Sequence, residues 1–234
     1  MMIIHFYQFL ILITLMAFLS KKDCPHNQDL IYKATYQVEM QENDDAPITP
    51  LGLGSLKDDL SAMKYELIFN QKNALFRVSS ITDISGQSEI YGKIFTTISL
   101  INRTYYYDIS KAKYAYQRLE DGLIFQYNIE DKKDCWEDLD TSINIKGMAC
   151  KAAVCKSTKI SHSNNGKEIP IELKAYYTTD IPVGIGPAGY HGLPGLITQV
   201  SDGRKVWKLI DIKTVSDFNE KDFHRPLSDE IIKK

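Results

Sequence analysis

Glu168-Ile-Pro-Ile-Glu-Leu-Lys-Ala-Tyr-Tyr177 decides the fold class. Ile169, Ile171, Leu173, Ala175 and Tyr177 fall on one side of an extended chain, and Glu168, Glu172 and Lys174 on the other. Period two marks a strand with one buried face, because successive side chains of extended backbone point to opposite sides. The alternation recurs through the chain. Leu30, Tyr32, Ala34, Tyr36, Val38 and Met40 alternate with Lys33, Thr35, Gln37 and Glu39. Met63, Tyr65, Leu67 and Phe69 repeat it and return through the turn Asn70-Gln-Lys-Asn73 into Ala74–Val78. Tyr105, Tyr107 and Ile109 mark another strand, Tyr114–Leu119 one more, and Leu123, Phe125, Tyr127 and Ile129 a third. Further on, Met148, Cys150, Ala152 and Val154 share a face, and Leu196–Ser201 and Val206–Val215 flank the turn Asp202-Gly203-Arg204.

This count predicts roughly nine to eleven strands. Short turns between them predict an antiparallel meander. The expected fold is all-β, or β-rich with minor helix: a strongly curved sheet, half-barrel or open barrel. Asn128–Asp140 is acidic and has no clear period, although Trp136 is expected to pack on the core. Glu42–Ser55 and Ser79–Gly92 read as loops, and Ser228-Asp-Glu-Ile-Ile232 as a short capped helix.

Strand 168–177 runs into Pro182-Val-Gly-Ile-Gly-Pro-Ala-Gly-Tyr-His-Gly-Leu-Pro-Gly-Leu-Ile197, which holds five of the 13 glycines. Gly supplies positive φ and Pro fixes negative φ, so this loop has a defined shape. Leu193-Pro194-Gly195-Leu196 fits a type II turn with positive φ at Gly195. The run is too short for a collagen repeat, and no Gly-Lys-Ser/Thr follows it to cradle phosphate. Two readings stand: a structural corner, or a binding rim made of Gly186, Pro187, Tyr190, His191, Gly192, Leu193, Pro194, Gly195, Leu196 and Ile197.

Gly192-Leu-Pro-Gly-Leu-Ile197 resembles the hexapeptide of the GLPGLI family of exported envelope proteins. Cys150-Lys-Ala152, Ala175-Tyr-Tyr-Thr178, Asp180-Ile-Pro182 and Gly186-Pro187 come in that family's order. Tyr105-Tyr-Tyr-Asp108 and Cys135-Trp136 stand where it carries tyrosine-aspartate and lysine-tryptophan signatures, and Tyr176 stands where Trp is common. The resemblance implies a Bacteroidetes-type, β-rich envelope protein without an established activity. It also implies a TonB-dependent outer-membrane receptor as a partner.

The 234 residues suggest four segments: a signal peptide over 1–20, a linker over 21–28, a single domain over 29–215, and a charged tail over 216–234. The apolar run Phe6–Leu19 ends at Ser20, Lys21 and Lys22 and carries the export reading. The destination is periplasm or cell envelope. Cys24 follows Lys21-Lys-Asp23, the wrong context for lipidation, so a lipoprotein is not expected. Net charge is −2 and the basic residues form no stripe, which argues against nucleic acid.

Export makes the four cysteines a disulfide framework of Cys24, Cys135, Cys150 and Cys155. Cys150 and Cys155 on one strand would lie about 16 Å apart, too far to bond. Two pairings remain. One joins Cys24 to Cys150 and Cys135 to Cys155; the other, preferred, joins Cys24 to Cys155 and Cys135 to Cys150 across a hairpin.

No motif demands a cofactor. Cys150, Cys155, His162 and His191 make a poor metal set, since the two cysteines point to opposite faces. Cys150, His191 and Asp180 are the candidates for a secreted hydrolase. The alternative roles are plain: Cys150 in the core or a disulfide, Asp180 accepting loop N–H groups, His191 solvated. The tyrosines Tyr105, Tyr106, Tyr107, Tyr114, Tyr116, Tyr176, Tyr177 and Tyr190 divide between core and outward faces, the outward ones being the better lead to an unknown small ligand. The expected function is therefore non-enzymatic binding of a ligand or partner, with the hydrolase as alternative.

Overall fold

The computed structural model describes residues 30–41, 63–80, 103–120, 123–129, 133–161, 167–224 and 231–233. The expected signal peptide, the cysteine at 24, the loop read over 42–55, positions 81–92 of the loop read over 79–92, and His162 lie outside them, while Ser79 and Ser80, expected in that loop, end a strand. From Ile31 onward the described residues belong to one compact unit, Ile31–Lys234.

Twelve strands form one sheet among the described residues. They are β1 Ile31–Met40, β2 Lys64–Phe69, β3 Asn73–Ser80, β4 Arg103–Asp108, β5 Lys113–Glu120 and β6 Leu123–Ile129. Then follow β7 Trp136–Ile145, β8 Met148–Ser161, β9 Lys167–Thr178, β10 Leu196–Ser201, β11 Lys205–Val215 and β12 Ile231–Lys233. The spatial order is β12-β6-β5-β4-β3-β2-β1-β11-β10-β9-β8-β7. Two meanders, β1 to β6 and β7 to β11, therefore join along the β1–β11 seam. Every pairing is antiparallel except β12 on β6.

Chain length forces curvature. β6 ends at Ile129 and β7 starts at Trp136, yet they are ten strand spacings apart in the sheet. Ten spacings along a flat sheet would be roughly 48 Å. The connection reaches at most about 25 Å. The sheet is accordingly curled without closing into a barrel, as the alternation predicts.

The concave face carries the core. Cross-strand register aligns Tyr36 with Tyr65, Leu67 with Phe76, Phe76 with Tyr105, Tyr105 with Tyr116, and Tyr116 with Tyr127. Trp207 stands edge-on to Tyr65 and Phe76, at centroid distances of 4.8 and 5.5 Å. Edge-to-face rings suit the aromatic quadrupole and add to what burial supplies. The opposite face of β1–β4 has a smaller cluster of Ile31, Ile68, Leu75, Tyr106 and Phe223, with Phe218 packed on it. A 3₁₀ turn at Glu220–Phe223 delivers Phe223, capped by Asn219 accepting from the Lys221 N–H. Part of the charged tail is thus anchored.

Three expectations need correction. Asn128–Asp140 contains the start of a long strand, β7, hidden because its residues from 137 to 144 are exposed and have no apolar period. Of the helix expected at Ser228–Ile232, positions 228–230 lie outside the described residues, and Ile231 and Ile232 are strand, paired with β6. The preferred Cys135–Cys150 bond does not form: Cys135 bonds Cys155, and Cys150 is a free, buried thiol. The reason is register. Asn144 accepts from the Gly147 N–H, and Lys146 and Gly147 take positive φ, 53° and 83°. That tight turn sets Ile143 opposite Cys150 and Trp136 opposite Cys155, which carries Cys135 to the far end of the hairpin.

Candidate functional site

The Gly-Pro loop between β9 and β10 packs against the concave face. Val183, Ile185, Leu193, Leu196 and Ile197 belong to the same buried cluster as the sheet aromatics. Backbone bonds stitch the loop to itself: Gly192 N–H donates to Gly184 O, Leu196 to Ile181 O and Ile197 to Ile185 O. Side chains of three strands then hold it. Tyr107 donates to Gly186 O and accepts from the Gly189 N–H, each at 2.9 Å. Tyr36 donates to Ile197 O at 2.7 Å, and the Trp136 indole N–H to His191 O at 2.9 Å. A buried loop cannot turn to water for these carbonyls, so the strands must supply the donors.

The glycines serve contact more than the turn read from sequence. Left-handed backbone occurs at Ala188, Gly189 and Gly192, and Gly195 is not among these positions, so the type II turn is corrected. A Cβ on Gly195 would sit 2.0 Å from Thr178 O. Gly195 is small because β9 passes against it.

The candidate rim residues accordingly have these places. Gly186, Pro187, His191, Leu193, Gly195, Leu196 and Ile197 are buried, Tyr190 and Gly192 are half-buried, and Pro194 is exposed. His191, expected in solvent, is 1% exposed. Its Nδ1 lies 2.8 Å from Gly189 O, and its ring is 4.0 Å from that of Tyr114. Asp180 is exposed, with its N–H donating to Thr178 Oγ1.

Cys150 is fully buried, and the single Thr198 hydroxyl proton is shared between its Sγ, 3.3 Å from Oγ1, and Tyr176 O at 3.0 Å. Burial pushes its thiol upward, opposed by the Thr198 bond. A reactive cysteine needs the opposite shift. Burial also raises the phenols of Tyr36, Tyr65 and Tyr107, which stay neutral donors at any ordinary pH. Tyr177 is pushed up to about 12, by burial first and then by its bond to Asp138.

The tyrosines divide as alternation requires. Tyr105, Tyr107 and Tyr177 join the concave core, Tyr114, Tyr116 and Tyr190 pack against it half-buried, and Tyr106 lies in the second cluster. Tyr176 lines a groove. That groove, of about 590 Å³, lies beside the β10–β11 turn and is lined by Glu172, Lys174, Tyr176, Gln199, Ser201 and Arg204, among others. The alternation of β9 already placed Glu172 and Lys174 outward. What it could not place was β10 beside them, with Tyr176 opposite Gln199 and Lys174 opposite Ser201.

Residues 107–199 match a family described as "Protein of unknown function (Porph_ging)", which is Bacteroidetes-associated. The Gly-Pro loop and its hexapeptide fall inside that span. No curated protein matches the chain. Among solved structures, "Structure of PNGF-II in C2 space group" is 14% identical with a TM-score of 0.53, covering 88% of this chain and 31% of that one. "Structure of PNGF-II in P21 space group" gives 15% and 0.52, with the same coverage. An uncharacterized conserved protein from Thermus thermophilus is 8% identical at a TM-score of 0.41, covering 89% and 93%. The chain thus shares a fold with PNGF-II while spanning about a third of its length.

Proposed function

We propose that this is an exported envelope protein of the GLPGLI type that binds a small polar ligand or a partner protein without converting it, working beside a TonB-dependent transporter. One observation carries the reading. Glu172, Lys174, Tyr176 and Gln199 line an open groove and make no side-chain hydrogen bond or ion pair among the described residues. The chemistry-bearing residues of the loop, by contrast, are engaged in packing. The Cys135–Cys155 bond fits an oxidising compartment. The hexapeptide Gly192–Ile197, inside the matched span, supports the family reading.

The test is cross-linking in detergent-solubilised envelopes. A TonB-dependent receptor is expected with the native protein and not with a Lys174→Glu, Tyr176→Ala double variant. Equal recovery with both would remove the groove from the reading. Ester or peptide hydrolysis that disappears in His191→Ala would instead establish the hydrolase.

A further inference from the structure

The groove lies outside the concave face. At one end of that face, the side chains at Tyr107 and Tyr114 meet the Gly-Pro loop. Two arginines stand toward the other end. Arg103 and Arg118 are direct partners on β4 and β5, on the side that also carries Tyr105, Tyr107, Tyr114 and Tyr116. Like charges placed opposite each other on a sheet repel.

Both guanidinium groups are held by aromatic faces. Arg103 lies 5.2 Å over the Tyr116 ring and Arg118 5.7 Å over Tyr127, and these two rings are themselves stacked at 4.8 Å. Arg103 is further oriented by Tyr105, whose phenol is raised by burial and pulled back by the charge of and hydrogen bond from that guanidinium. Stacking occupies the flat face of a guanidinium and leaves its in-plane N–H donors for an acceptor.

One such donor lacks its acceptor. Arg103 Nε is buried and has no hydrogen-bond partner among the described residues. A buried N–H left unmatched loses its hydration with nothing in return, and is destabilising until an acceptor arrives.

We propose that Arg103 and Arg118, on the floor made by Tyr116 and Tyr127, form a binding site for an oxyanion, the carboxylate or phosphate group of a ligand. Such a group accepts from the orphaned Arg103 Nε, with the Arg118 guanidinium beside it on the same face. A guanidinium fork matches two oxygens of one anion, which a single ammonium cannot do.

The experiment uses the oxidised full chain. Melting temperature and tyrosine fluorescence are followed against inorganic phosphate, against acetate, and against chloride at matched ionic strength. A saturable response to phosphate or acetate, absent with chloride, is expected. Arg103→Gln should weaken that response by roughly tenfold or more, and Arg103→Lys should weaken it less. Should Arg103→Gln fail to fold, Arg103→Lys decides, and undiminished binding there overturns the site. So does a native protein that answers neither oxyanion. Lys174→Glu in the groove should leave the response unchanged, and its loss there would move the anion to the groove and also overturn the proposal.

Discussion

Two hairpins of this sheet have the same connectivity and opposite means of support. In β2–β3 both faces are covered. Leu67, Phe69 and Phe76 fill the concave core, while Ile68 and Leu75 lie in the second cluster. In β7–β8 the outer strand is the sheet's edge, exposed from residue 137 to 144. Packing cannot hold such a strand, so specific links do. Cys135 is bonded to Cys155, Trp136 donates to the loop at His191 O, and Tyr177 of β9 donates to Asp138. Glu137, Asp138 and Asp140, with a register shift between Leu139 and Ser142, also discourage pairing with another chain. A strand can therefore be kept in register by buried area or by a few linkages at its end.

Four experiments would break or sharpen that contrast. The largest effect belongs to Phe76→Ala, which empties a site 1% exposed where Tyr65, Tyr105 and Trp207 converge. A loss of about 3–5 kcal/mol is expected in denaturant unfolding. Next is Cys135→Ser, which opens a link of sequence separation 20 and should cost about 3 kcal/mol. Hydrogen exchange should then quicken in β7 and leave β2–β3 protected. Equal loosening of both hairpins would show that they are not independently supported.

Trp136→Phe keeps most of the ring and removes one donor to the loop, so about 1 kcal/mol is expected. Glu66→Gln should give the smallest change at neutral pH and a distinct one in acid. Glu66 of β2 is buried and paired with Lys33 and Arg77. Burial raises its pKa, but the bonds to Lys33 and Arg77 outweigh that and hold it below the ordinary value of 4.5. A carboxylate lowered by folding contributes stability above its unfolded pKa, and that stability is lost as pH falls through the folded one. The native protein should lose stability as pH drops below about 4.5, and Glu66→Gln should lose less over that window.

The sequence made the first hairpin legible and much of the second illegible, for one reason. Alternation records burial on one face. Ala34, Tyr36 and Val38 of β1 are buried between less buried neighbours, and so are Leu173 and Ala175 of β9. An exposed edge strand leaves no such record, so β7 is visible only through Trp136. The loop is recognisable by its glycines and prolines, yet its burial is not. Glycine marks equally a free turn and a close contact, and only Thr178 O, 2.0 Å from a Cβ built on Gly195, distinguishes them. His191 misleads for the same reason, since a polar residue in a Gly-Pro loop reads as solvated until Tyr114 is found against it.

What the amino-acid order determined by itself is the antiparallel, curved all-β class, because the period of two is a local property of extended backbone. It also excluded a bond between Cys150 and Cys155 within one strand, by reach alone. Tertiary structure decided the partner of Cys135, the burial of the Gly-Pro loop and the meeting of Arg103 with Arg118. Each depends on register between strands distant in sequence or facing each other across a turn, and register is set by contacts that no single strand contains.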